Sequence, residues 1–308
     1  MLNFLLDIAP DKSQLLLTIK LAGILREKKQ EVYYTYTSNP AFTPVLYDKG
    51  ISNCVLYPDD FRWLKPDLTL LDCRHAAHAS LYRQLAIDYI FIAMQLPDQK
   101  NIQDKDISIL YLPPTPYLSS GSGPRLETLT KRLQDIKKDK ERNIIVGLLG
   151  KGNKNSKILE DFYRVIKRSS IRNPRYQFIL LTDIPNVYQS SELPDNMELF
   201  RTLNLNTILP LCDLALTDSH SDAWLDCTFA QIPVLKYSPK DMINITPMKL
   251  EQQIEYALQN KTTLTQKAKE LCDFFERKNR EKNKIADMLI ERAGRNRYNS
   301  CRLRPHTY

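Results

Sequence analysis

Short apolar runs alternate with helix-patterned stretches along this chain in two series, and that repetition constrains the fold most. The first series begins with LNFLLDI (2–8), a short apolar run suited to a buried strand. A helical stretch over 14–28 follows, with Leu15, Ile19, Ala22 and Leu25 at helical spacing. EVYYTYT (31–37) is aromatic and β-branched, hence a strand. Further strands are expected at NCVLY (53–57), DLTLLD (67–72), YIFIA (89–93) and ISILYL (107–112), with a helical pattern over 76–86. The segment YLPPTPYLSSGSGP (111–124) then concentrates Pro, Ser and Gly, a linker signature. After an amphipathic helix at 125–138 the alternation restarts. Strands are expected at 143–150, 176–181, 196–200, 213–218 and 233–237, and helices at 156–169, 206–212 and 222–230. Strand–helix–strand alternation implies a parallel sheet with helices on both faces.

The fold class is therefore α/β, with two parallel-sheet domains and a ligand cleft expected between them. A length of 308 residues suits two domains. The expected division is an N-terminal domain over 1–118, a linker and helix over 119–142, a second α/β domain over 143–262, and C-terminal helices with a basic tail over 263–308. Residues 2–8 lack a basic leader, and Asp7 and Pro10 interrupt the apolar run, so this is not read as a signal peptide. The six cysteines are scattered without a CxxC pair, and are read as reduced thiols of a cytosolic protein.

Charge and glycine are both unevenly placed. Residues 277–308 hold 10 Lys/Arg against 3 acids, and residues 151–175 hold 8 against 2. The first block suggests an anionic surface and the second an anionic ligand. Only eight glycines occur, yet Gly147, Gly150 and Gly152 fall within six residues. An apolar strand thus runs into the loop Gly150-Lys151-Gly152-Asn153-Lys154, and a helix opens at Ser156. Backbone N–H groups, a helix N-terminus and two lysines suit a phosphate. The spacing matches neither Walker A nor GxGxxG. A second polar turn, Asp218-Ser219-His220-Ser221, follows an apolar strand, and Ser219 and Asp222 have the spacing of a capping box. Such a turn at a strand's carboxyl end is a natural phosphate site, and a bare helix cap is the plainer alternative. Two carboxylates four apart, Asp218 and Asp222, are poor evidence for a metal.

These segments resemble the donor-binding region of GT-B-fold glycosyltransferases of the UDP-glucosyl/glucuronosyltransferase type. The resemblance is carried by Asn196-Met197, Ile208-Leu209, Asp213-Leu214, the turn Asp218-Ser219-His220, Asp226-Cys227 and Ile232-Pro233. In the N-terminal half it is carried by residues 15–36 and by Lys65-Pro66-Asp67-Leu68 leading to Leu71-Asp72. It covers most of 1–260 as a pattern of elements with few diagnostic residues. The resemblance implies two Rossmann-like domains of the GT-B type and transfer of a sugar from a nucleotide sugar, such as a UDP-sugar, without a metal. No cofactor is implied. It places the donor against Gly150, Lys151, Gly152, Lys154, Ser219, His220 and Ser221. Asp226 would meet the ribose hydroxyls, since a carboxylate accepts two hydrogen bonds from a diol. Arg201 would lie over the base or on phosphate, its plainer reading being a surface arginine.

The family's first-loop Gly-His falls near Ser13-Gln14 here, and glutamine cannot take a proton at neutral pH. Another base is therefore expected among Asp7, Asp11, Asp72, His75 and His78. Histidine titrates where general base work is done, so His75 oriented by Asp72 is the first choice and Asp11 the competitor. His75, His78 and Cys73 together suggest zinc, without a local fourth ligand, and no metal is expected. The basic C-terminus is expected either to be a solvated helix or to contact an anionic inner membrane face that presents a lipid- or glycan-linked acceptor. Its few aromatics, Tyr298 and Tyr308, disfavour nucleic acid. A nucleotide-sugar hydrolase or epimerase, and a non-catalytic binding protein on the same fold, are the alternatives.

Overall fold

The computed structural model describes residues 1–8, 12–34, 52–53, 64–94, 109–114, 124–149, 156–182, 193–201, 203–219 and 222–302. They form two compact units, Met1–Thr115 with Asp273–Tyr308, and Pro116–Cys272.

In the first unit the expected strands become β1 (Asn3–Asp7), β2 (Glu31–Tyr34), β3 (Ser52–Asn53), β4 (Leu68–Asp72), β5 (Tyr89–Met94) and β6 (Ile109–Leu112). All pair in parallel in the order β3-β2-β1-β4-β5-β6. Most of the run expected as a strand at 53–57 lies outside the described residues. Helix α1 (Lys12–Glu27) links β1 to β2 and buries Leu15, Leu16, Leu17, Leu21 and Leu25. The helix expected over 76–86 is α2 (His78–Gln84), and a 3-10 turn (Cys73–His75) precedes it. Asp72 accepts a hydrogen bond from the Arg74 backbone N–H at 2.9 Å, which closes that turn. Helix α2 then packs Ala79 and Tyr82 on Leu5 and Leu71.

The second unit repeats the topology. Strands β7 (Asn143–Leu148), β8 (Tyr176–Leu181), β9 (Met197–Phe200), β10 (Leu214–Asp218) and β11 (Val234–Tyr237) lie in the order β11-β10-β7-β8-β9, all parallel. Alternate strand residues feed two apolar layers, as a strand's period of two requires. One layer joins Ile145, Phe178, Leu214 and Leu216 to α4 (Ser156–Arg172), α7 (Pro239–Asn244) and α8 (Pro247–Gln259). The other joins Ile144, Val146, Ile179 and Ala215 to α3 (Pro124–Lys138), α5 (Leu205–Ile208) and α6 (Ala223–Phe229). Helix α5 gives way to a 3-10 turn at Leu209–Leu211, where Pro210 cannot donate to a continuing helix.

Helix α3, the amphipathic helix expected at 125–138 beside the linker, puts Leu129, Leu133 and Ile136 into the second core. The C-terminal stretch is not a segment of its own: α9 (Lys261–Arg280) runs out of the second unit, and α10 (Lys282–Arg302) packs along α1. Ala286, Leu289 and Ala293 of α10 are fully buried, and Lys282 Nζ donates to the Leu17 carbonyl at 3.0 Å. The basic block is partly consumed here. Arg292 grips Asp88 through two bonds of 2.7 and 2.9 Å, Asn296 adds a third, and Arg297 donates to the Met1 carbonyl. Among the described residues no helix is long and apolar enough to cross a membrane.

Candidate functional site

In a sheet of order 3-2-1-4-5-6 the connections leave in opposite directions from β1 and β4, so the carboxyl ends of that pair form the topological switch point. Their register sets Asp7 opposite Leu71, with Asp72 next along β4. The 3-10 turn after β4 carries His75 over Asp7, and the start of α2 carries His78 beside it. His75 Nδ1 lies 2.9 Å from Asp7 Oδ1, and His78 Nδ1 lies 2.7 Å from Asp7 Oδ2. Tyr82, one helical turn beyond His78, donates its hydroxyl to the same Oδ2 at 2.7 Å. The ring centres of the two histidines are 4.9 Å apart.

Asp7 is 2% exposed. Burial alone would push its carboxyl pKa up, but hydrogen bonds from Tyr82, His78 and His75 outweigh it and hold the value below the usual 3.8. Tyr82 moves the other way: burial and the Asp7 charge push its hydroxyl well above the ordinary range, so it stays a donor. An ionised carboxylate only accepts, so each Nδ1 is the donor, and a ring in its neutral form keeps Nε2 as an acceptor. Neither Nε2 has a hydrogen-bond partner among the described residues. The carboxylate and the two imidazoles also place three potential metal-ligating atoms within 4.8 Å of one another.

The carboxylate that holds His75 is therefore Asp7, not Asp72 as the sequence suggests. Asp72 instead accepts from Arg74 Nη2 at 2.9 Å and from the Arg74 backbone, which fixes the turn that delivers His75. Cys73 is exposed as a residue, but partial burial of its sulfur, with the Asp72 charge beside it, raises the thiol pKa. Asp11 lies outside the described residues. Tyr82 was not singled out from the sequence; its position four residues after His78, one helical turn on, was the available signal.

The matching switch point of the second unit lies between β7 and β10, where Leu148 is opposite Thr217. Gly150, Lys151, Gly152, Lys154, His220 and Ser221 lie outside the described residues. Ser219 is half-buried just beyond β10, and its backbone N–H is committed to the Tyr237 carbonyl at 2.8 Å. The expected Ser219 capping box is not formed, because α6 starts at Ala223 and its cap position is Asp222. The chain still follows the β11 ladder at Ser219, too early for a helix cap. Asp226 sits buried in the first turn of α6, where the helix dipole favours an acid. Arg201 is exposed directly after β9. A groove of about 590 Å³ opens beside the carboxyl end of β11, between Lys236, Tyr237, Asp241 and the α8 residues Gln253 and Tyr256.

No family model matches the sequence, and no curated protein matches it significantly. Solved structures do match. The glycotransferase of kitacinnamycin is 12% identical with a TM-score of 0.65, covering 94% of this chain and 98% of its own. The spinosyn rhamnosyltransferase SpnG, complexed with spinosyn aglycone, is 12% identical with a TM-score of 0.66, covering 92% and 100%. The glycosyltransferase VinC, in complex with dTDP, is 12% identical with a TM-score of 0.61, covering 95% and 100%. At this identity the likeness concerns the fold: the chain has the two-sheet α/β architecture of GT-B glycosyltransferases over nearly its whole length.

Proposed function

We propose that this protein transfers a sugar from a nucleotide-sugar donor to an acceptor hydroxyl, with His75 as the general base. The observation that carries the reading is the 2.9 Å pair between Asp7 and His75 Nδ1 at the switch point of the first sheet. Asp7 fixes the tautomer and leaves His75 Nε2 to take the acceptor's proton. The acceptor oxygen then attacks the anomeric carbon, the bond from that carbon to the diphosphate oxygen breaks, and the nucleoside diphosphate leaves with the electron pair. The buried Asp7 charge stabilises the imidazolium that forms. In this reading the donor lies on the second unit, at the carboxyl ends of β7 and β10, a choice supported by the sequence resemblance and by the switch point there. There Lys151, Lys154 and the Ser219–Ser221 turn would meet the diphosphate without a metal, and Asp226 the ribose. VinC holds dTDP in its solved structure, so thymidine diphosphate sugars join UDP-sugars as first donors to try.

The test has two stages. The full chain is screened for a rise in melting temperature with dTDP-, UDP-, GDP- and CMP-linked sugars, since a ligand of the native state stabilises it. With a donor in hand, His75→Ala should slow transfer at least tenfold, about 1.4 kcal/mol in barrier, with donor affinity unchanged. A His75→Ala protein at full rate would move the base elsewhere, with Asp11 next in line. Binding without turnover would point to the non-catalytic alternative.

A further inference from the structure

General base catalysis uses one imidazole on one carboxylate oxygen. Here the second oxygen of Asp7 is met by a second imidazole, and His78 has no part in the transfer chemistry. We propose that Asp7, His75 and His78 form a binding site for one divalent transition cation of the Zn²⁺ class. Two imidazoles and a carboxylate suit such an ion, whereas Mg²⁺ and Ca²⁺ want oxygen ligands throughout. In a tetrahedral zinc shell, neighbouring ligand atoms lie about 3.3 Å apart. His75 Nδ1 is 2.9 Å from Oδ1, His78 Nδ1 is 2.7 Å from Oδ2, and the three ligand atoms all lie within 4.8 Å of one another, so an ion needs side-chain adjustments and no rebuilding of the turn.

The surroundings are those of a metal site. Tyr82 holds Asp7 Oδ2 from behind at 2.7 Å, the kind of outer hydrogen bond that orients a ligating carboxylate. Asp7 ends a strand that is buried from Phe4 onward, and the Asp72–Arg74 pair fixes the turn that carries His75. His78 is half-exposed, with 52% of its side chain accessible, which gives an entry path and room for water to complete the shell. With the ion on Nδ1 of each ring, Nε2 carries the ring's remaining proton. His75 then has no acceptor nitrogen, so occupancy and base catalysis exclude each other. That consequence rests on the transferase reading; the site itself does not.

The full chain, stripped with chelator, is titrated with ZnCl₂ by calorimetry and with CoCl₂ by visible absorption. One cation per chain is expected, with the d–d bands of a four- or five-coordinate Co²⁺. His78→Ala, at an accessible position that leaves the core intact, should weaken this uptake at least tenfold. Asp7→Asn should do the same, with circular dichroism confirming the fold, and Cys73→Ser should change nothing. Absence of saturable one-to-one uptake, equal affinity in His78→Ala, or loss in Cys73→Ser would each overturn the site. In a wild-type protein that turns over, Zn²⁺ should inhibit and chelator restore the rate. Binding is read without substrate, so failure of the transferase reading leaves the metal result standing.

Discussion

A single carboxylate, Asp7, gathers His75, His78 and Tyr82 at the carboxyl ends of β1 and β4. Tyr82→Phe should lower stability by about 1 kcal/mol through one lost hydrogen bond, read as a shift in the urea midpoint. Another buried charge carrier makes a pH prediction. Burial, with repulsion from Lys20, depresses the pKa of Lys282 well below 10.5. The unfolded chain therefore binds that proton more tightly than the folded protein. Stability should climb as pH rises from the depressed value toward 10.5, and Lys282→Met should flatten the climb, measured by urea unfolding at pH 7.5 and 9.5. The sequence showed His75 and an acid close by, but it favoured Asp72 because it is near in sequence. The true partner lies 68 residues upstream, and only the parallel pairing of β1 with β4 brings the two together. That a carboxylate would orient His75 was legible; which one does so depends on register.

At the level of elements the apolar runs were good guides, because a strand buried on both faces is nearly continuous in sequence. NIIVGL and YQFILL became β7 and β8 with almost no shift in their ends. The capping box expected at Ser219 failed because the β11 ladder still holds the chain there. Gly147, in β7, was read as part of a ligand-binding glycine cluster, yet it has a packing role. A Cβ there would lie 2.3 Å from Leu180 Cδ2 in a full core. Gly147→Ala should cost about 1–3 kcal/mol, checked by denaturant unfolding. The basic helix α10 is likewise more than a charged surface. Asp88→Ala removes the acceptor for Arg292 and Asn296 and should lower stability by about 1 kcal/mol. Truncation before α10 uncovers α1, so loss of lipid binding on truncation would be ambiguous; charge substitutions in α10 are the cleaner probe of any membrane contact.

Over the whole molecule, the repeated alternation foretold two units with the same winding, and the structure gives both sheets the same core order of strands, 3-2-1-4-5. What the alternation could not tell was that the first unit is discontinuous in sequence. Nothing in a charged helix announces which distant helix it covers; α10 is assigned by Ala286, Leu289 and Ala293 meeting α1. A fragment spanning 116–280 contains a complete sheet and both of its apolar layers, and should unfold cooperatively by itself. A fragment spanning 1–115 lacks its covering helix and should be aggregation-prone or molten, with weak near-ultraviolet circular dichroism.

The return of α10 to α1 also dictates a timetable. A ribosome releases this chain from its N-terminus onward, and Leu17 waits through 265 residues of synthesis before Lys282 appears. During that interval the apolar flank of α1 has no cover, while the intervening unit already has all of its own sequence and can close first. The middle unit should therefore mature first, and the unit built from the segments on either side of it should follow. Anything that slows translation beyond residue 272, or any truncated product ending there, lengthens the period in which that flank is open to chaperones and to other nascent copies.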